Sequence, residues 1–269
     1  MPPTEAAFFD LDKTVIAKAS LMAFSRPFYR EGLLTRRILA QGLWGQVLFT
    51  RFGAGAQALD RLRVRMLQLT EGWEQERVRS IVAQTLVQVV GPITYREALD
   101  LIAEHKAAGR RVYIVSAAPE EIVEPLARYL GAQEAIATRA AVRAGRYTGQ
   151  LLNYAFGPQK AATIRRIAER DGIDLSRSWA YSDSATDVPM LEAVGHPVAV
   201  NPDRALRRTA HMRGWPVLHF SELAVVAPSG HRPVRPVRAS LVGAGGVAAA
   251  AAVVLAVALL ARRRAGVPA

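Results

Sequence analysis

Two carboxylates spaced i, i+2, Asp10 and Asp12, close a short apolar run that begins at Ala6, and Lys13 and Thr14 follow directly. Residues 6–9 read as a short buried strand. Such a strand has no structural use for two acids at its end, because a buried charge is costly unless it is paired or binds metal. In an open α/β sheet, however, the carboxyl ends of the strands are where ligands bind. Two acids there predict an attacking carboxylate, a proton-handling carboxylate and a cation that makes both tolerable. Asp12, two residues after Asp10, projects to the same side of an extended backbone.

Three further features share that logic. Arg111 to Val115 is a second apolar run, and it ends in Ser116. Lys160 follows Phe156-Gly157-Pro158-Gln159 at the start of a helical pattern. Trp179 to Tyr181 is a third short strand, ending in Ser182-Asp183-Ser184-Ala185-Thr186-Asp187. The order is strand–DxDxT, strand–Ser, lysine at a helix start, strand–DxxxD. That order resembles the haloacid dehalogenase superfamily. The wording of Phe-Phe-Asp-Leu-Asp-Lys-Thr, Tyr-Ile-Val-Ser-Ala, Tyr-Ser-Asp-Ser-Ala-Thr-Asp-Val-Pro-Met-Leu and Gly-His-Pro-Val-Ala-Val-Asn-Pro-Asp resembles its phosphoserine-phosphatase-like branch, subfamily IB, over residues 5–220.

The resemblance implies Asp10 as the nucleophile, forming an aspartyl-phosphate, and Asp12 as the acid/base. A covalent intermediate splits one hard displacement into two easier ones. Converging acids and a phosphate dianion need positive charge, and Mg²⁺ suits an oxygen set of a few carboxylates, waters and substrate. The implied ligands are Asp10, the backbone carbonyl of Asp12 and Asp183, with Asp187 supporting the site. Thr14, Ser116, Ala117 and Lys160 are implied around the phosphate, where a hydroxyl and an ammonium hold the non-bridging oxygens. Two departures bear on the substrate. The glutamate that phosphoserine phosphatases carry nine residues after the nucleophile is Ala19 here, and their Gly-Gly after the motif serine is Ala117-Ala118. The phosphatase chemistry therefore transfers, and phosphoserine as substrate does not.

The surrounding elements follow from periodicity and punctuation. Residues 15–94 show helical spacing without strand-like alternation, up to Gly91-Pro92. They read as an all-helical cap inserted into a catalytic core formed by residues 1–14 and 95–222. The core is expected to be α/β: a Rossmann-like, three-layer fold with a parallel sheet. Its expected elements are helices near 95–108, 119–130, 158–171 and 188–193, and strands near 111–115, 135–139, 178–181, 197–200 and 216–218. Ala144-Gly145 marks the turn of a hairpin.

The net charge of +12 is unevenly spread. Residues 15–94 hold 11 bases against 5 acids, and residues 231–269 hold six arginines and no acid. Only four lysines stand beside 31 arginines, and two of the four, Lys13 and Lys160, lie inside the phosphate motifs. A charge confined to cap and tail argues against nucleic acid as a partner. There is no cysteine, hence no thiol chemistry and no disulfide frame. Leu33 to Phe52 carries many large apolar residues with Arg36, Arg37 and Arg51, which either pack the cap or rest on anionic lipid.

A basic, proline-rich linker, 223–239, leads to residues 240–261, which are 22 residues without a charge. That is long enough to span a bilayer as a helix, although its nine alanines make insertion marginal. The tail 262–269 begins with Arg262-Arg263-Arg264. The first strand begins so early that no signal peptide is expected, which puts the catalytic part in the cytoplasm and the helix at the membrane, spanning it or lying on it. The reading is a Mg²⁺-dependent phosphomonoester hydrolase acting on a small or lipid-linked phosphate. The alternative is a membrane-tethered module that binds phosphate ligands with little turnover.

Overall fold

The computed structural model describes residues 4–35 and 69–224. A seven-stranded sheet runs in the order β4-β3-β2-β1-β5-β6-β7. Its strands are β1 (Ala6–Asp10), β2 (Arg111–Pro119), β3 (Glu134–Arg143), β4 (Arg146–Asn153), β5 (Trp179–Ser182), β6 (His196–Val200) and β7 (Val217–Leu218). All neighbours are parallel except β3 and β4, which form an antiparallel hairpin. Ala144 and Gly145 make its turn at φ +50° and +75°, the left-handed pair that a two-residue hairpin requires. Among the described residues the helices are α1 (Ser20–Ala23), α2 (Ser25–Arg30), α3 (Gln75–Val90), α4 (Arg96–Ala107), α5 (Glu120–Tyr129), α6 (Pro158–Asp171), α7 (Val188–Leu191) and α8 (Arg204–Arg213).

Every residue of β1 is buried, because helices cover both faces of the sheet. The side-chain period of two divides the strand between two cores. Ala7 and Phe9, with Val112 and Ile114, join Ile102 of α4, Leu126 of α5 and Val82 of α3. Ala6 and Phe8, with Tyr113 and Val115, join Ile164 of α6, Leu191 of α7 and Leu206 of α8. Phe9 stacks on Tyr181 of β5 with ring centroids 4.4 Å apart. The Tyr181 hydroxyl meets Nε2 of His105 on α4 at 2.8 Å. Burial and then the nearby Arg110 push His105 down to about 4, so it is neutral and its part here is in packing.

The register levels the strand ends. Asp10 pairs with Val115, so Leu11 stands level with Ser116; Phe9 pairs with Tyr181, so Ser182 stands level with Asp10. Strand β1 also marks the place where connections leave to opposite sides, toward β2 and toward β5. In such sheets the crevice beyond the carboxyl ends at that point binds ligands.

Two details depart from the sequence reading. Strand β2 does not stop at Val115 but continues through Ser116 to Pro119, with a register shift, because the long β3 still offers Thr138 as a partner. Residues 15–19 are not helical. The Val15 carbonyl accepts from the Tyr95 amide at 2.9 Å, and the Ala17 amide donates to the Ile93 carbonyl at 2.7 Å. The two ends of the 15–94 segment are thus paired extended chains. The last described residues join them: Ala224 donates to the Thr94 carbonyl, Arg96 donates to that of Glu222, and the Glu97 carboxylate accepts from the amides of Ser221 and Glu222. Most of the basic apolar stretch 33–52 and the expected span 240–261 lie outside the described residues. Among the described residues, no helix is long and apolar enough to cross a membrane.

Candidate active site

The chain turns sharply after β1. The amides of Val15 and Ile16 both donate to the Leu11 carbonyl, and Lys13 between them sits at φ +65°. A left-handed lysine is uncommon, and such strain tends to gather at functional sites. The turn buries Thr14, whose Oγ1 donates to Oδ2 of Asp10 at 3.3 Å. It also brings the chain past Asp12, whose Oδ1 accepts from the Ser20 amide at 2.8 Å.

Lys160 enters from the first turn of α6. Gly157 ahead of that helix has φ +54°, and Pro158 opens it with a ring already suited to helical φ. The Lys160 ammonium is 3% exposed, and its Nζ donates to Oδ1 of Asp10 at 2.6 Å and to Oδ2 of Asp187 at 2.7 Å. Burial alone would push this ammonium down, but the Asp10 and Asp187 carboxylates outweigh it and hold the pKa above the ordinary lysine range. Asp187 ends a tight turn (Ala185–Asp187) after β5, capped by the Ser184 hydroxyl. Its Oδ2 also accepts from Ser182 Oγ at 2.8 Å. Its Oδ1 is buried and has no hydrogen-bond partner in the structure.

Asp183 is buried beside this pair, and its backbone carbonyl accepts from the amide of Asp203. Burial is the main cause that pushes its carboxyl up to about 7; Lys13 and Lys160 oppose the shift, and Asp187 and Asp203 add to it. Burial likewise pushes Asp10 well up, against Lys160 and with the help of Asp187 and Asp183. Asp12 is raised by burial against the Ser20 hydrogen bonds. Ser116 is buried at the bend of β2, its Oγ accepting from the Ala118 amide at 3.1 Å, with Ala117 between.

The fold therefore gathers Asp10, Thr14, Lys160, Asp183 and Asp187 into one buried cluster, with Asp12 beside it and Ser116 on the adjacent strand end. The carboxylates outnumber the ammonium groups, which leaves negative charge to be balanced by protonation or by a further cation. The residues present fit a divalent ion. An orphaned carboxylate oxygen on Asp187 and a carboxyl on Asp183 forced up to about 7 are the expected signs of a missing positive charge. Among the described residues no group of three acid or histidine side chains converges tightly enough to hold a metal by side chains alone. Mg²⁺ does not need such a group, since it keeps waters and takes few carboxylates.

Sequence reasoning missed Ser182 and the Ser20 amide. Ser182 was legible only as the residue at which the third strand ends. The Ser20 contact is a backbone donor, and no side-chain type marks such a donor.

A family model for haloacid dehalogenase-like hydrolases matches residues 7–192, the span that contains every residue of this cluster. The chain belongs to that family. Among curated relatives, a probable phosphatase of Mycobacterium tuberculosis is 53% identical over 216 residues, covering 80% of this chain and 75% of that protein. A phosphoserine phosphatase of the same organism is 33% identical over 263 residues, covering 97% of this chain and 81% of that protein. Among solved structures, a protein of unknown function from Bordetella pertussis is 30% identical with a TM-score of 0.70, covering 80% of this chain and 98% of that one. The hydrolase lies in the phosphoserine-phosphatase-like branch of the family.

Proposed function

We propose that this hydrolase, a phosphatase, cleaves phosphomonoesters through a phosphorylated Asp10. The observation that carries the reading is the buried Lys160, whose ammonium touches both Asp10 and Asp187. A lysine so placed holds the attacking carboxylate in position and offsets charge as phosphate arrives. An Asp10 oxygen attacks phosphorus, and the bond from phosphorus to the leaving oxygen breaks. Asp12 gives that oxygen a proton, for which burial, by raising its pKa, prepares it. The Ser20 amide occupies Oδ1, leaving Oδ2 to carry the proton. In the second half the Asp12 carboxylate takes a proton from water, the water oxygen bonds to phosphorus, and the Asp10–phosphorus bond breaks to release inorganic phosphate. Thr14, Ser116 and the backbone at Ala117 would hold phosphate oxygens. Asp10, the Asp12 carbonyl and Asp183 would hold Mg²⁺, with Asp187 orienting its surroundings, and the ion would supply the missing positive charge at the phosphate.

The substrate is a small or lipid-linked phosphate, and the C-terminal segment 240–261 holds the enzyme at the cytoplasmic face of a membrane. The placement is supported by the 22-residue uncharged stretch, which is long enough to span. Hydrolysis of p-nitrophenyl phosphate with Mg²⁺, and its loss in Asp10→Asn, tests the chemistry. Fractionation of the full chain and of one lacking 239–269 tests the anchor: equal recovery of both in the soluble fraction rules it out.

A further inference from the structure

Beyond the phosphate cluster, a cleft of about 930 Å³ opens along α1, α2 and α3. Lys13 lines its inner end, and Ala19 and Met22 continue the wall from there. This end adjoins the catalytic centre through Asp12, whose carboxylate is fixed by the amide of Ser20, the neighbour of Ala19. In the proposed mechanism Asp12 faces the leaving oxygen. The alcohol half of the substrate therefore extends into this cleft.

The cleft is charged with one sign. Among the described residues, Lys13, Lys18, Arg26 and Arg30 line it against the single carboxylate of Glu31. None of the four cations has an ion-pair partner among the described residues. Elsewhere nine arginines, Arg79, Arg96, Arg110, Arg111, Arg139, Arg146, Arg170, Arg177 and Arg213, meet carboxylates. The opposite wall is mixed, with Ile81 and Val89 beside Gln84, Thr85 and Gln88. Unpaired cations spaced along one cleft concentrate anions there, and low-dielectric walls focus that field. A cationic alcohol entering the cleft would meet like charge, a cost that works as discrimination.

We propose that the leaving alcohol carries a second anionic group, a carboxylate or a further phosphate, bound by Arg26 and Arg30 with Lys18. This rests on the phosphatase reading and narrows it: zwitterionic and cationic alcohols are poor substrates, and neutral ones are intermediate.

The test uses the full chain with Mg²⁺ at low ionic strength and measures kcat/KM for four probes. These are 3-phosphoglycerate (carboxylate), fructose 1,6-bisphosphate (second phosphate), glycerol 2-phosphate (neutral) and choline phosphate (cationic). One or both anionic probes should lead, the neutral probe should follow and the cationic probe should come last. Which anionic probe leads identifies the group. In Arg26→Glu/Arg30→Glu the advantage of the leading anionic probe over glycerol 2-phosphate should fall about tenfold, the scale of two partly exposed charge contacts. Arg143→Glu, which is not among the residues lining the cleft, should leave that ratio alone. A neutral or cationic preference in the parent enzyme overturns the proposal, as does a double variant that loses all probes in equal proportion. Asp10-dependent turnover of p-nitrophenyl phosphate keeps the two levels apart. If it is present and the ranking fails, only the anionic substrate class is lost. If no phosphate ester is turned over at all, the phosphatase reading falls with it.

Discussion

The two ends of the candidate site are built on opposite terms. At the phosphate end, Asp10, Lys160 and Asp187 are nearly inaccessible, and their contacts are 2.6–2.7 Å long. At the alcohol end, Lys18 in the segment before α1 and Arg26 and Arg30 on the short α2 are exposed and have no ion-pair partners among the described residues. Buried charges are effective because the medium is poor at screening them, and for the same reason each needs its counterpart in place. Exposed charges are cheap to place and easy to change, but each contributes little. On the proposed reading, the reaction is held by a few indispensable atoms, and the choice of substrate by a field that several side chains share.

The largest effect should come from the nucleophile. Asp10→Asn removes the attacking oxygen without changing shape, so turnover should fall by at least about 10³-fold. Circular dichroism and thermal denaturation should stay near those of the parent. Substantial activity in this variant would remove the basis for treating the buried end as the reacting end.

Lys160→Met comes next, and it tests burial directly. It leaves Asp10 and Asp187 facing each other without their shared ammonium. Breaking a buried pair by removing one partner costs about 3–5 kcal/mol, and loss of the charge at phosphorus should lower kcat by roughly 10²–10³-fold. Denaturant unfolding of metal-free protein reads the first effect. Mg²⁺ should return part of the stability, since it supplies charge to the same carboxylates. A Lys160→Met protein as stable as the parent without metal would show that the pair is not a structural requirement.

The third effect is a pH dependence of metal binding. Asp183 has its carboxyl pushed up to about 7, above its ordinary value near 3.8. Its folded pKa is raised, so its contribution to the stability of the metal-free protein is full below about pH 4. That contribution is lost as pH rises through about 7. Mg²⁺ needs the deprotonated form, so binding should release a proton below pH 7, and the apparent affinity should fall by up to about tenfold per unit of acidification. Calorimetry in buffers of different ionisation enthalpy would count the proton. Asp183→Asn should abolish both the proton release and most of the affinity.

The smallest effect belongs to the exposed end. Each arginine of the cleft changed singly to alanine should move the selectivity between anionic and neutral probes by only about two- to fivefold. Salt should erode the same selectivity, because exposed charges are screened within about 10 Å at ordinary ionic strength. A single substitution that destroyed selectivity outright would mean that the cleft works like the buried end, through one fixed contact.

Much of the buried end was legible in the sequence. Asp10, Asp12, Ser116, Lys160, Asp183 and Asp187 all announce themselves by an expensive residue type at the end of an apolar run or at a helix start. Such types persist there only if something pairs with them. The parallel sheet was legible too, from strands alternating with helices, as was the hairpin turn at Ala144-Gly145. The continuation of β2 past Ser116 was not, since it depends on the partner that β3 offers. The pairing of residues 15–17 with 93–95 depends likewise on chain ends distant in sequence.

What the sequence determined by itself is the inventory: which acids, which lysine, in which order on which elements. Local pattern carries that information, because strand and helix periods and the cost of burying charge are properties of short segments. What only the tertiary structure decided is which atoms meet. One lysine is shared between Asp10, 150 positions away, and Asp187, 27 away. Oδ1 of Asp187 is left without a partner, Ser182 joins the cluster, and four cations scattered from Lys13 to Arg30 face a single cleft. These follow from strand register and helix docking, which sum many weak contacts across the whole chain, and no short stretch of sequence contains that sum.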